Sequence, residues 1–294
     1  MNIALTGATG YIGGAVLDAL IEGGTTVTAV VRSEVAADTA RAKGAEPVVM
    51  DLIDRGALRR VLSQADGAVH AASPGDATSA EVDSAVVDAV IEEFSGTAKP
   101  YVHTSGIWLW GSHTDIAEDS PLDPPAIVAW RVEREDRLLD SSVAATVIAP
   151  GVVHGEGGGI ANLLVDAPAV AGTDGLSLIG DGNQHWGLVH VRDLAALYVL
   201  ALQTNPGGRV IGVSHTATVG DLAAAAHPHA RLVAATVDET RARLGGDFAD
   251  ALLLDQRVGS GLRASDLGWR PQRAPLSEEL ANGYRAANVG IYPA

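Results

Sequence analysis

Cysteine is absent from the 294 residues, so neither a disulfide framework nor a thiolate metal site is available. Lysine occurs only twice, as Lys43 and Lys99. Aromatic residues are scarce at 4% against 47% hydrophobic residues, so the core must be built from Ala, Val, Leu and Ile. That composition suits helices packed on a parallel sheet better than an all-β sandwich. Positive charge is also short: 20 Lys and Arg face 36 Asp and Glu, for a formal net charge of −16. This argues against a uniformly basic nucleic-acid surface and a polybasic membrane anchor. No apolar run reaches transmembrane length, and the N-terminus enters a strand without a basic n-region or cleavage site. The expectation is a cytoplasmic protein that binds neither nucleic acid nor membrane.

What the chain does have is glycine in a telling place. Met1 to Thr6 reads as a short buried strand, Gly7-Ala8-Thr9-Gly10-Tyr11-Ile12-Gly13 follows, and Gly14 to Ile21 reads as a helix. Strand, glycine-rich turn and helix N-terminus together seat a dinucleotide pyrophosphate. Gly7 permits the tight turn, Gly10 lets backbone amides approach the phosphates, and Gly13 lets helix and strand pack closely.

Beyond this unit, strands and helices alternate. Strands are expected at 25–31, 46–50, 67–70, 101–105 and 145–148, and helices at 34–43, 55–62, 80–94 and 126–139. The alternation implies right-handed crossovers and a doubly wound parallel α/β sheet, Rossmann-like, whose ligands bind at the carboxyl ends of the strands. Residues 1–150 are read as the dinucleotide-binding domain. Residues 151–294 are read mainly as a smaller substrate-binding region, with some segments returning to the first. There, 155–159 reads as a flexible loop bordering the cleft or as a linker, 176–179, 209–213 and 232–235 as strands, and 219–226 as a helix. Asp193 reads as the cap of a helix running to Leu202.

Several residues fall where a cofactor would touch them. Arg32 ends the second strand, nineteen residues after Gly13, where an acidic residue would bind the ribose of NAD. An Arg there meets a 2′-phosphate instead, which points to NADP(H). Asp51, followed by Leu52, suits the adenine amino group or caps the next helix. The small run Ala71-Ala72-Ser73 lets a ribose lie against the backbone.

The run Thr6 to Gly13 resembles the opening of extended short-chain dehydrogenases/reductases, the group of NAD-dependent epimerases and dehydratases. Asp51-Leu52, His70-Ala71-Ala72, Tyr101 to Gly106, Ala149 to Gly155, Gly180 to Asn183, Val189 to Ala195 and Leu267 to Pro271 continue the resemblance in order. It implies a Rossmann-like domain with a smaller C-terminal substrate region. It also implies a Ser or Thr, a Tyr and a Lys at the active site, the last two spaced Tyr-x-x-x-Lys. Here the pattern breaks, because no Tyr has a Lys four residues later. Counting from the fifth strand puts Trp130 near the Tyr position, Arg134 near the Lys position and Gly106 at the Ser position, with Thr104 and Ser105 the nearest hydroxyls. Indole N–H only donates, and guanidinium is a poor proton shuttle.

Three explanations compete. Another group supplies the proton, with His154 the leading candidate because imidazole titrates near neutrality; water or the substrate supplies it, as for an iminium ion or activated alkene; or the fold binds NADP(H) without chemistry, as a regulator. Trp108, Trp110 and Trp130, with Ile107, Leu109 and Trp186, are expected to line an apolar pocket beside the nicotinamide. The reading is an NADP(H)-dependent oxidoreductase acting on a small, largely apolar carbonyl or imine. A silent NADP(H)-binding regulator and a nucleotide-sugar epimerase or dehydratase are the alternatives. No trio of His or carboxylates shows a trusted metal-ligand spacing. A homodimer through the 80–94 and 126–139 helices is one option.

Overall fold

The computed structural model describes residues 1–259 and 262–284. In its first half, β1 (Asn2–Thr6), α1 (Tyr11–Glu22), β2 (Thr26–Val31), α2 (Glu34–Ala42), β3 (Glu46–Val49), α3 (Arg55–Gln64) and β4 (Gly67–His70) are followed by α4 (Ser79–Phe94), β5 (Pro100–Thr104), β6 (His113–Ile116), α5 (Ala126–Leu139) and β7 (Ala144–Pro150). The second half opens with β8 (Val152–His154), α6 (Asn162–Val165), β9 (Gly175–Ser177), β10 (His185–His190), α7 (Val191–Thr204), β11 (Gly208–Gly212) and β12 (His215–Thr218). It continues through α8 (Val219–Ala226), β13 (Arg231–Val233), α9 (Val237–Leu244), α10 (Gly246–Leu252), β14 (Gln256–Val258), α11 (Arg263–Asp266) and α12 (Leu276–Ala281).

Seven parallel strands form the central sheet in the order β11-β7-β5-β4-β1-β2-β3. The order reverses between β1 and β4, so the cleft for a ligand opens above those two strands. Alternation along each strand builds the layers. Ile3 and Leu5 face a core shared with Val16 and Leu17 of α1 and Leu194 and Leu197 of α7. Ala4 faces the opposite core, with Leu58 of α3 and Val86 and Val90 of α4. Each fully buried aliphatic side chain contributes about 1.5–3 kcal/mol. The fold is the expected Rossmann-like α/β sheet, and β11 returns to it from the second half of the chain.

Helix starts follow local chemistry. Ser33 caps α2 by accepting from the Ala36 amide (3.3 Å), and Asp54 caps α3 by accepting from Ala57 (2.9 Å). Asp51 therefore caps nothing; its carboxylate closes a turn onto the Ile53 amide (3.2 Å). Asp193 is not a cap either. His190 caps α7, its Nδ1 accepting from the Arg192 amide (3.0 Å), while buried Asp193 accepts from the amides of Gln272 (3.0 Å) and Arg273 (2.9 Å). Outside the central sheet, β12-β10-β8 form one small sheet, and β13-β9 and β14-β6 form pairs. Strands β6, β8, β10, β12 and β14 are too short and too polar or glycine-interrupted to have been read from alternation. No helix among the described residues is long and apolar enough to cross a membrane.

Candidate active site

The turn after β1 is shaped by contacts that only glycine permits. Gly7 has φ +76°, and a Cβ on it would stand 2.5 Å from the Ala71 carbonyl oxygen and 2.7 Å from the Ala72 nitrogen. A Cβ on Gly13 would overlap the Gly7 carbonyl. The Gly10 amide donates to Gly7 O (2.9 Å) and its extended backbone opens α1, with no side-chain cap and no acidic residue in the first turn. The amides of Tyr11 and Ile12 at this uncapped end, with Gly7, Thr9 and Gly10 around them, fit a diphosphate. The Gly155–Gly159 loop packs on the Tyr11 side chain. Tyr11 hydroxyl donates to Gly155 O (2.7 Å), and Tyr284 hydroxyl accepts from the Gly155 amide (2.8 Å) and donates to Gly158 O (2.5 Å). The loop is thus anchored on two phenols rather than acting as a free linker.

On the β2 side of the cleft, Arg32 is exposed immediately after the strand. It faces Asp76, whose carboxyl is held below the ordinary range mainly by the Thr78 hydroxyl and amide, with Arg32 adding to the effect. Asp51 is exposed after β3, and Leu52 beside it is buried against α3 and α4. Ala71 and Ala72 lie half-buried at the end of β4 under Gly7, and Ser73 is exposed. The structure therefore brings Gly7, Gly10, Gly13, Ala71 and Ala72 together, with Arg32 and Asp51 following the neighbouring strands.

The end of β5 differs from expectation. Ser105 is buried, and its hydroxyl donates to Glu135 Oε1 (2.6 Å), a fully buried carboxylate whose Oε2 accepts from Arg209 Nε (3.0 Å). Ser105 serves the α5 packing, not the cleft. Thr104 Oγ1 donates to His70 O (2.6 Å) and so accepts from the Tyr198 hydroxyl (2.7 Å). Arg134 is directed onto α4, donating to Ala80 O (3.2 Å), Ser84 Oγ (2.5 Å) and Trp130 O (2.5 Å). Arg131, not singled out in the sequence, is the guanidinium that reaches the end of β5. Its Nη1 donates to Thr104 O (3.1 Å), and its guanidinium carbon lies 4.5 Å from the Trp130 ring centroid. Ile127, an apolar residue, lies one turn before Arg131 in α5. Trp130 itself donates to Ile127 O (3.0 Å). A Cβ on Gly106 would meet nothing within 4 Å, so the position expected of Ser is open space.

His154 lies in β8 with zero exposure. The register of β8 against β10 sets it beside His190 (ring centroids 5.5 Å apart), and His215 flanks it at 5.6 Å. Burial, then His215 and His190, pushes its pKa down to about 3, so the ring is neutral at pH 7. Glu279 stands 3.5 Å from its Nδ1 and 3.3 Å from His190 Nε2. With neutral rings these are polar approaches rather than ion pairs. This is the setting of a packed imidazole, not of an acid that must carry a proton near neutrality. The expected aromatic lining also changes. Ile107, Leu109, Trp110 and Trp186 are all buried in cores, Trp186 donating to Leu252 O (2.9 Å), and only Trp108 and Trp130 remain half-buried.

Similarity to known proteins agrees with this geometry. A model of the NmrA-like family matches residues 1–105. An uncharacterized protein of Schizosaccharomyces pombe is 30% identical over 294 aligned residues, covering 96% of this chain and 99% of the relative. The chain belongs to one family with this relative, in agreement with the resemblance to extended, atypical short-chain dehydrogenases/reductases. A second relative, 4-hydroxy-2-methyl-3-oxo-4-farnesyl-3,4-dihydroquinoline-1-oxide ketoreductase of Stigmatella aurantiaca, is 27% identical over 239 residues, covering 74% of this chain and 70% of that enzyme. A solved structure of a human epimerase family protein with NADPH shares the fold of this chain. Its TM-score is 0.72 at 21% identity, covering 96% of this chain and 98% of the human one.

Proposed function

We propose that the protein is an NADP(H)-dependent oxidoreductase that reduces a small, largely apolar carbonyl or imine compound in the cytoplasm. The observation that carries this reading is the pairing of the uncapped α1 amides with an exposed guanidinium, Arg32, immediately after β2. The amides receive the diphosphate and the guanidinium receives the 2′-phosphate by charge-assisted hydrogen bonds. NADP(H), once bound, supplies hydride chemistry. Asp51 offers a carboxylate to the adenine edge, and Ala71, Ala72 and Ser73 leave room for the ribose. Thr104 and its carbonyl hold Arg131 at the nicotinamide end. A ketoreductase among the relatives and NADPH on the human structural neighbour support the same reading.

Calorimetric titration of the purified protein tests it. NADPH is expected to bind with micromolar affinity, far more tightly than NADH. Absence of heat with both NADP⁺ and NADPH would remove the reading. A second reading, a regulator that binds NADP(H) without turnover, is favoured by the lack of an ionisable acid at Gly106 and Ile127. Tight NADPH binding with no reduction of any aldehyde, ketone, imine or activated alkene would establish it. A nucleotide sugar that raised the melting temperature would instead favour an epimerase.

A further inference from the structure

The end of β5 offers a fixed cation and no proton. Arg131 is held by a carbonyl and by an aromatic face, and none of those partners is a carboxylate. A guanidinium does not release its proton in a protein. The described tyrosines are also occupied. Tyr198 hydroxyl bonds Thr104 Oγ1, Tyr11 bonds Gly155 O, Tyr101 bonds His103 Nδ1 and Tyr284 bonds Gly158 O. Burial pushes the Tyr11 and Tyr198 phenols up and away from acid duty.

These facts sort the acceptors that the proposed oxidoreductase could use. A plain ketone would become an alkoxide, too basic to form without an acid placed beside it. A preformed iminium ion would approach a guanidinium of its own sign. An acceptor whose new electron pair spreads into a conjugated oxyanion needs no immediate proton and gains from a fixed positive charge. We infer that the protein reduces α,β-unsaturated carbonyl compounds, quinones included, with Arg131 as the counter-charge to the oxyanion and water as the proton source. This rests on the NADP(H) reading above. In the step, the β-carbon gains a C–H bond and two electrons as hydride from NADPH. The C=C pair moves to place an enolate on the carbonyl oxygen. Water then protonates the α-carbon, so NADPH, acceptor and one proton give NADP⁺ and the dihydro product.

The test separates binding from chemistry. NADPH affinity is measured by fluorescence for the wild type, Arg131→Gln and Arg131→Lys. NADPH oxidation is then followed with cyclohex-2-enone, a naphthoquinone, cyclohexanone and N-methyl-3,4-dihydroisoquinolinium, each corrected for reaction without protein. The enone or quinone is expected to lead by about tenfold or more, with a rate flat between about pH 6 and 9 because no protein acid titrates. Arg131→Gln should lower kcat about 100-fold while leaving NADPH affinity within about threefold, and Arg131→Lys should restore most of it. Independently of turnover, 4-nitrophenol added to the NADP⁺-saturated protein should bind as the yellow phenolate, and Arg131→Gln should bind the colourless phenol. Preference for the ketone or iminium, a bell-shaped pH profile, an indifferent Arg131→Gln, or binding of neutral nitrophenol by the wild type would each overturn the inference. NADPH binding without reduction of any acceptor would overturn it while sparing the cofactor reading. Failure to bind NADPH would remove the cofactor reading, and this inference with it.

Discussion

Gly13 and Gly106 are both glycines at the carboxyl edge of the same sheet, yet they are glycine for opposite reasons. A side chain at 13 would run into the Gly7 carbonyl, whereas a side chain at 106 would meet nothing within 4 Å. At the mouth of α1 the working groups are main-chain amides, and their approach to a ligand depends on missing Cβ atoms. At the end of β5 the working groups are side chains, so the site can change its chemistry without changing its backbone. On the proposed reading, the fold there holds Gly106, Ile127 and Arg131 where the resemblance to short-chain dehydrogenases/reductases implies a hydroxyl, a phenol and an ammonium group. On that reading the frame for a nicotinamide ring is kept, and a single fixed cation stands in place of the proton relay.

The strongest test of this contrast is at Gly13. Gly13→Val forces a branched side chain against backbone at the strand–helix contact, where overpacking costs about 1–3 kcal/mol before any ligand is considered. Calorimetry with NADPH should show affinity reduced by about 100-fold or more, because the α1 amides shift off the diphosphate. Binding retained within about tenfold would mean that the close contact does not govern the site, and the contrast with Gly106 would break. Arg32→Glu comes next. Two charge-assisted hydrogen bonds of about 1.5 kcal/mol each give about 100-fold weaker NADPH binding. NADH, lacking the 2′-phosphate, should change only a few-fold. Equal losses for both cofactors would remove the phosphate role of Arg32.

The same contrast explains what could be read from the sequence. The glycine turn, the strand alternation and the exposed place of Arg32 after β2 were legible because each follows from a local rule: a missing Cβ, a burial pattern, a fixed offset. Helix 126–139 was legible in extent, but its register was not. Its sheet-facing stripe runs through Arg131, Glu135 and Leu138, and two of those three are charged. Glu135 is buried because Ser105 and Arg209 satisfy its oxygens, a long-range fact that periodicity does not carry. The visible apolar residues Ile127, Val128, Trp130 and Val132 fit several registers, and the count settled on Arg134 instead of Arg131. His154 misled for a similar reason. Its place after a strand suggested a cleft, while the pairing of β8 with β10 turned it into a core built of three imidazoles.

That core gives a smaller effect on stability. His154 has a pKa of about 3 in the folded protein against 6.5 ordinarily. Between those values the unfolded chain binds more protons, so stability rises with pH through this window. The contribution is fully present above about pH 6.5 and falls by about 1.4 kcal/mol for each pH unit below it. His190 and His215 are also pushed down, chiefly by burial, and act in the same sense. Glu279, pushed up by burial and then by Glu156 and Glu278, acts in the opposite sense above the ordinary carboxylate range. Unfolding free energies from urea titrations at pH 7.5 and 5 should therefore differ by about 2 kcal/mol in the wild type through His154 alone, and by correspondingly less in His154→Phe. An unchanged pH dependence in the variant would show that this imidazole is protonated in the fold. It would also return His154 to consideration as an acid.

The least disruptive change tests the other glycine. Gly106 has an extended φ of −168° and free space where its Cβ would stand. Gly106→Ser should therefore leave the melting temperature almost unchanged, within about 0.5 kcal/mol of stability. It places a hydroxyl at the end of β5 without supplying an acid, because a serine hydroxyl hydrogen-bonds an oxygen but does not release its proton near neutral pH. KM for a carbonyl acceptor should fall a few-fold while kcat moves little, the signature of binding gained equally by the ground and transition states. A kcat rise of about tenfold or more would mean that orientation, not the missing proton, limits the reaction. A loss of fold would mean that position 106 is closed, and the difference between the two glycines would disappear.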